Sequence, residues 1–233
     1  MIWRWLISFS CVPALAVTIS GTVVLRDSKV SNVNRKKDYS GVVVWLRNSE
    51  ASGAAKAPRH VRMLQKDKTF SPHVLPVTVG TVVDFPNNDP IFHNAFSSYS
   101  GQIFDVGLYP PGATRAVRFS RPGVVRLFCN IHPSMSAIIL VLDSPWFART
   151  DRDGSFTIDA PPGEYELQMF HERATDATLS ALTRRVEVGD EPVRLSSISI
   201  SEAGYLPAPH KNKYGKDYPP GTDDQSVYPG ARQ

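Results

Sequence analysis

The sequence predicts an all-β protein made of two small sandwiches. Nearly every apolar segment is short, rich in β-branched residues and bounded by turn residues. Only one stretch offers a helical reading. At 233 residues, with 42% hydrophobic and 21% charged, the chain is long enough for one or two cores, and its 19 Pro and 15 Gly stay below the level of a disordered sequence.

The apolar segments are Ile19–Leu25, Gly41–Leu46, Val74–Phe85, Arg115–Phe119, Val124–Phe128 and Ala137–Leu142, a spacing that belongs to sandwiches and barrels. Gly80-Thr81, Pro110-Pro111-Gly112, Pro122-Gly123, Asp153-Gly154 and Pro161-Pro162-Gly163 separate strands as turns, because proline fixes φ and glycine accepts a positive one. Glu172–Thr183 reads either as a short helix or as a long loop. From Gly204 the last 30 residues hold five prolines and four glycines, with only Leu206 and Val227 as larger aliphatics. Such a tail cannot bury a core, so residues 204–233 are expected to be disordered. Its stretch from His210 to Lys216 could dock an acidic partner, but the simpler expectation is solvated chain.

Ahead of the first strand, Arg4 precedes an apolar run from Trp5 to Leu15, and Ala14-Leu15-Ala16 forms a small-x-small cleavage site. Residues 1–16 therefore read as a secretory signal peptide, cleaved after Ala16. The run is about half of the roughly 20 residues that a membrane anchor needs, so no membrane insertion is expected after cleavage. Lipid attachment at Cys11 is disfavoured, since Ser8-Phe9-Ser10 lacks the usual aliphatic residue upstream. Cleavage removes Cys11 and leaves Cys129 as the lone thiol of an exported, periplasmic chain, with no internal disulfide available. A metal bond would occupy it. A buried, inert thiol is the alternative.

The net charge of +4 is spread among acidic residues, which argues against nucleic-acid binding. A Gly-rich phosphate loop, a Gly-x-Ser-x-Gly elbow and a dinucleotide fingerprint are all missing from the sequence.

The chemistry concentrates in Phe128-Cys129-Asn130-Ile131-His132-Pro133-Ser134-Met135, with Phe92-His93-Asn94 some 36 residues upstream. One thiolate, two imidazoles and one thioether match the needs of a trigonal copper site with a long axial Met. Zinc competes, but structural zinc sites favour several thiolates. A tight loop after a strand-ending Cys129 can return His132 and Met135 to the same ion, and His93 can approach from another strand.

This segment resembles the copper loop of the cupredoxins, and its Cys-x2-His-x2-Met spacing is similar to the short loop of amicyanin rather than the longer ones of plastocyanin and azurin. The resemblance covers residues 59 to 142. It includes Phe70-Ser71-Pro72, the run from Val77 to Asp89 that leads to His93-Asn94, and the hairpin from Pro111-Gly112 to Arg121-Pro122-Gly123-Val124 that leads to Cys129. It implies a Greek-key cupredoxin sandwich with one type 1 copper, His93, Cys129 and His132 as equatorial ligands, and Met135 as the axial one. Asn94 would tie the ligand loops together and offer its N–H to the Cys129 sulfur. Amicyanin has proline before its second histidine, whereas this chain has Ile131, which restores an N–H near the sulfur.

The other histidines read differently. His73 and His171 sit at a strand start and a strand end, and His60 and His210 are expected to be solvated. Asp151-Arg152-Asp153-Gly154 has the look of a calcium loop, but Pro162 stands where the bidentate glutamate belongs, so a hairpin turn is expected.

Residues 150–170, with Asp153-Gly154-Ser155-Phe156-Thr157-Ile158 and Pro161-Pro162-Gly163-Glu164-Tyr165-Glu166-Leu167, resemble the carboxypeptidase regulatory-like domain, a transthyretin-type sandwich. Gly21-Thr22-Val23 and Gly41–Leu46 resemble that family's first two strands. Residues 145–203 alone offer about five strands, and adding 17–56 gives about a hundred residues, enough for seven. The expected order is thus 17–57, an inserted cupredoxin at 58–143, and the remainder at 144–203. Tandem domains are the rival.

The resemblance implies an electron carrier and not an enzyme. Its four ligands leave the metal no open position. The imidazole edge of His132, ringed by Pro133, Ile91 and Phe92, would be the electron port, and a c-type cytochrome or periplasmic dehydrogenase would be the partner. A copper-handling module and a binding module built on the second sandwich are the other two classes.

Overall fold

A computed structural model describes residues 16–48, 59–98, 101–206 and 210–219. The expected signal peptide, apart from Ala16, lies outside the described residues, as do positions 207–209 and 220–233 of the tail. The chain opens with β1 (Val17–Arg26), α1 (Ser31–Lys36) and β2 (Val43–Arg47). Short strands follow: β3 (His60–Arg62), β4 (Leu64–Lys66), β5 (Thr69–Ser71), β6 (Val74–Thr78), β7 (Val82–Pro86), β8 (Phe96–Ser97), β9 (Phe104–Asp105), β10 (Thr114–Arg118), β11 (Gly123–Phe128) and β12 (Ser136–Leu142). The last part holds β13 (Phe147–Arg149), β14 (Ser155–Ala160), β15 (Gly163–Phe170), α2 (Asp176–Leu182), β16 (Arg184–Val188), β17 (Val193–Arg194) and β18 (Ile198–Ser201). The fold is all-β, and α2 falls within the ambiguous Glu172–Thr183, with the Thr175 hydroxyl capping Thr178 N–H.

The alternation of β1 buries every second residue, among them Val17, Ile19, Val23 and Leu25, while the residues between them are exposed or half-buried. β1 pairs antiparallel with β14 along Val17–Thr22 and parallel with β17 and β18. The facing sheet runs β13-β2-β15-β16. One core joins the two sheets: Ile19, Leu25, Phe156 and Ile200 from the first meet Val44, Leu46, Leu167 and Val186 from the second. Gly154 is required where the Asp153-Gly154 turn approaches β1. Its φ is +80°, and a Cβ there would lie 2.0 Å from the Val23 carbonyl oxygen. Asp151 closes that turn by accepting from the N–H groups of Asp153 and Ser155.

The strands between β2 and β13 form sheets β10-β7-β3 and β6-β12-β11-β8-β9, and the separate hairpin β4-β5. Their core includes Met63, Phe85, Tyr109, Phe119, Leu127 and Ile139, together with Cys129 and Met135. The two sandwiches meet through a third apolar cluster, in which Val74, Ile138, Leu140 and Leu142 touch Val43 and Phe170. Polar contacts rim this junction. His73 Nε2 lies 2.6 Å from Glu172 Oε2, Arg126 lies 3.7 Å from the same carboxylate, and Arg149 donates to the Val74 carbonyl.

Because β1 and β2 are internal strands of their sheets, residues 145–203 alone lack the strands that bridge β14 to β17 and β13 to β15. That fragment should show no cooperative melt by circular dichroism, whereas the full chain should.

Glu172 raises the pKa of His73 above its ordinary 6.5, with burial and, less, Arg173 working against it. Burial pushes Glu172 up, but His73 and then Arg126 hold its carboxyl below the ordinary 4.5. The His73 contribution is complete below its unfolded pKa and fades as pH rises through the raised folded value. The Glu172 contribution is complete above its unfolded pKa and fades as pH falls. The melting-temperature difference between wild type and Glu172→Gln should therefore peak at about pH 5–6 and shrink on either side. For a partly exposed pair the effect should stay within about 1 kcal/mol.

Candidate metal centre

β11 ends at Phe128, paired with Ser136 at the start of β12, so the seven residues from Cys129 to Met135 close a tight loop. Inside it, Cys129 N–H donates to the Met135 carbonyl at 3.1 Å and Met135 N–H donates to the His132 carbonyl at 3.0 Å. These bonds fold His132 and Met135 back toward the cysteine. His93 arrives from the other side, fixed by reciprocal backbone bonds with Tyr109 of 3.1 and 2.9 Å.

Cys129, His93 and His132 are all fully buried. The Cys129 Sγ lies 3.9 Å from His93 Nδ1 and 3.6 Å from His132 Nδ1, and the three donor atoms lie within 4.8 Å of one another. The imidazoles meet edge-on, with ring centroids 4.9 Å apart and planes at 63°. A first-row ion bound by nitrogen and sulfur at ordinary lengths sets its donors roughly 3.5–3.8 Å apart. The observed spacing fits such an ion. Met135 is fully buried in the same core.

The surroundings pull the protonation states of the donors in different directions. Burial lowers the pKa of His93, with Asp89 opposing it, so the imidazole is held toward its neutral form. Its Nε2–H donates to Asp89 Oδ2 at 2.7 Å, which leaves the Nδ1 lone pair facing the sulfur. Burial pushes the Cys129 thiol above its ordinary value and outweighs the backbone N–H groups of Ile131, Asn94 and His132, which act to lower it. Asn94 also spans loops, its Nδ2 donating to Asp105 Oδ1 at 2.7 Å and to the Gly107 carbonyl at 2.9 Å.

Asp89 carries a role that sequence reading missed. The β4-β5 turn places Asp67 and Lys68 at φ of 54° and 52°, a type I′ geometry without the usual Asn-Gly. Asp89 accepts from both of their N–H groups, at 2.6 and 2.9 Å, and so ties a strained turn to His93. Burial acts to raise its pKa, but the N–H of Lys68 and then His93 hold it below its ordinary value. An acidic residue four positions before a candidate ligand histidine was the available signal.

Two expectations are corrected. His132 is fully buried, so no imidazole edge reaches the surface. The tail is also not solvated throughout, because residues 210–219 lie against the ligand loop. The His210 ring stacks on Phe128 with centroids 4.0 Å apart, and its Nε2 lies 2.7 Å from the Pro133 carbonyl oxygen. The Tyr218 hydroxyl donates to the Cys129 carbonyl at 2.8 Å. Lys213 N–H donates to Asn130 Oδ1 at 3.0 Å, and its ammonium pairs with Asp105 at 2.8 Å. Composition hid this, since the segment docks by polar and aromatic contacts rather than by aliphatic burial.

The other histidines lie apart from the donor cluster: His60 pairs with Asp84, His73 with Glu172, and buried His171 with Glu202 at 2.8 Å. Among the described residues no helix is long and apolar enough to cross a membrane.

No protein family and no curated protein matches the chain. Solved structures do. A purple cupredoxin from Nitrosopumilus maritimus is 24% identical over 35% of this chain and 98% of its own, with a TM-score of 0.33. A reduced variant of amicyanin is 16% identical over 42% of this chain and 98% of its own, at 0.34. A Cu-containing nitrite reductase from Thermus scotoductus SA-01 is 22% identical over 52% of this chain but only 28% of its own, also at 0.34.

Asp89→Ala should remove three hydrogen bonds at once. Denaturant unfolding of the metal-free chain should show a loss of about 2–4 kcal/mol.

Proposed function

We propose that the chain is an exported type 1 copper protein that carries single electrons between periplasmic redox partners. The observation that carries this reading is the buried convergence of His93 Nδ1, His132 Nδ1 and Cys129 Sγ beside Met135. A lone thiolate with two imidazoles and a nearby thioether suits copper better than zinc. Copper bound there would supply a one-electron couple.

The chain's own residues do the rest. Asp89 orients His93, and the loop bonds between Cys129, His132 and Met135 fix the donors in a dry core, where little rearrangement accompanies a change of charge. The N–H groups of Ile131, Asn94 and His132 would draw electron density from a bound thiolate, and with copper in place this would favour the reduced state. The role proposed is that of a carrier and not of an enzyme. A c-type cytochrome or a periplasmic dehydrogenase remains the proposed partner. Residues 58–143 are proposed as an inserted cupredoxin, and 17–57 with 144–203 as one interrupted carboxypeptidase regulatory-like sandwich. The buried edge of His132 favours a second reading, a module that holds copper for delivery.

Copper titration of the mature chain tests this. One equivalent should produce intense visible thiolate-to-copper absorption, and Cys129→Ser should lose it while keeping its β-type circular dichroism. Reversible one-electron voltammetry supports the carrier. Rapid loss of metal to a chelator without a reversible wave supports delivery, and a colourless, zinc-preferring chain overturns both.

A further inference from the structure

We infer that residues 210–219 are a removable cover over the ligand loop, opened by an acidic partner surface that competes with Asp105 for Lys213. The inference rests on the reading of His132 as a ligand, but it concerns access to that side chain with or without metal.

The cover grips the loop on both sides of His132. Tyr218 holds the Cys129 carbonyl, Lys213 N–H holds the Asn130 side chain, and His210 reaches the Pro133 carbonyl while stacking on Phe128. His132 between these points is fully buried. Yet the segment itself is weakly anchored. It joins no sheet, none of its residues is buried, and it contains no aliphatic side chain larger than proline. Among the described residues it is held by one ring stack, a few hydrogen bonds of modest net worth and one partly exposed ion pair, so opening is a low-cost local event.

The ion pair also selects the key. Lys213 sits on Asp105, the same carboxylate that accepts from Asn94 beside His93. Lys211, Lys213 and Lys216 face one acid within the segment, Asp217, so the cover is basic and an anionic surface would draw it off.

The test is carbethoxylation of His132 by diethyl pyrocarbonate in the full-length, metal-free chain, followed by peptide mass spectrometry. Exposed His60 serves as the internal standard. In the wild type His132 should react slowly. Lys213→Ala combined with Tyr218→Phe should speed it roughly tenfold and leave His60 unchanged. At constant ionic strength poly-L-glutamate should accelerate the wild type, dextran should not, and the double variant should respond less. Equal His132 rates in wild type and variant overturn the cover, whether both are slow or both fast. Acceleration by dextran as large as by polyglutamate overturns the acidic key. Cover-dependent reactivity in a chain that binds no copper leaves the cover standing and overturns the copper reading alone.

Discussion

Ile138, Leu140 and Leu142 of β12 pack against the second sandwich, while Ala137, Ile139 and Val141 of the same strand fill the first core. A strand buried on both faces reads as a continuous apolar run, and each of its larger side chains contributes about 1.5–3 kcal/mol of burial. Since both faces are apolar, hydrophobicity alone does not set its register. The pairing does: parallel to β6 from Val74 to Thr78, and antiparallel to β11 from Gly123 to Phe128. That register places Ser136 opposite Phe128, and so Met135 beside Cys129. The junction between the sandwiches and the closure of the ligand loop therefore depend on one strand.

The centre sits at the end of a packed core rather than in an open cleft. Cys129 and Met135 belong to the same apolar cluster as Phe85, Tyr109 and Leu127, so the surroundings of the donors cannot relax independently of the fold. The polar groups in this core are few and connected. Asp89 joins the β4-β5 turn to His93, and Asn94 joins His93's neighbourhood to Asp105 and Gly107. A buried carboxylate is costly unless its oxygens are occupied, and here three donors occupy them. The same bonds that make Asp89 tolerable also fix which imidazole nitrogen faces the sulfur.

The second sandwich brings the first and last thirds of the chain together, with β1 and β2 as internal strands of its two sheets. It backs the strand that follows the loop: Ile138, three residues beyond Met135, lies in the apolar cluster shared with Val43 and Phe170. The loop itself meets residues 210–219.

The sequence by itself determined the β class, the turns and the candidate donor types, because these follow from local preferences: period-two apolar runs, Gly and Pro at bends, and a Cys-x2-His-x2-Met loop whose candidate donors are close in the chain. Asp153-Gly154 was legible for the same reason. Tertiary structure alone decided the convergence of His93 on Cys129 across 36 residues, the hold of Asp89 on a turn 21 residues earlier, and the burial of His132. The docking of His210 and Tyr218 stayed hidden because polar and aromatic contacts between distant segments leave no periodic trace, and a segment poor in aliphatic residues reads as solvated until its partner surface is in place.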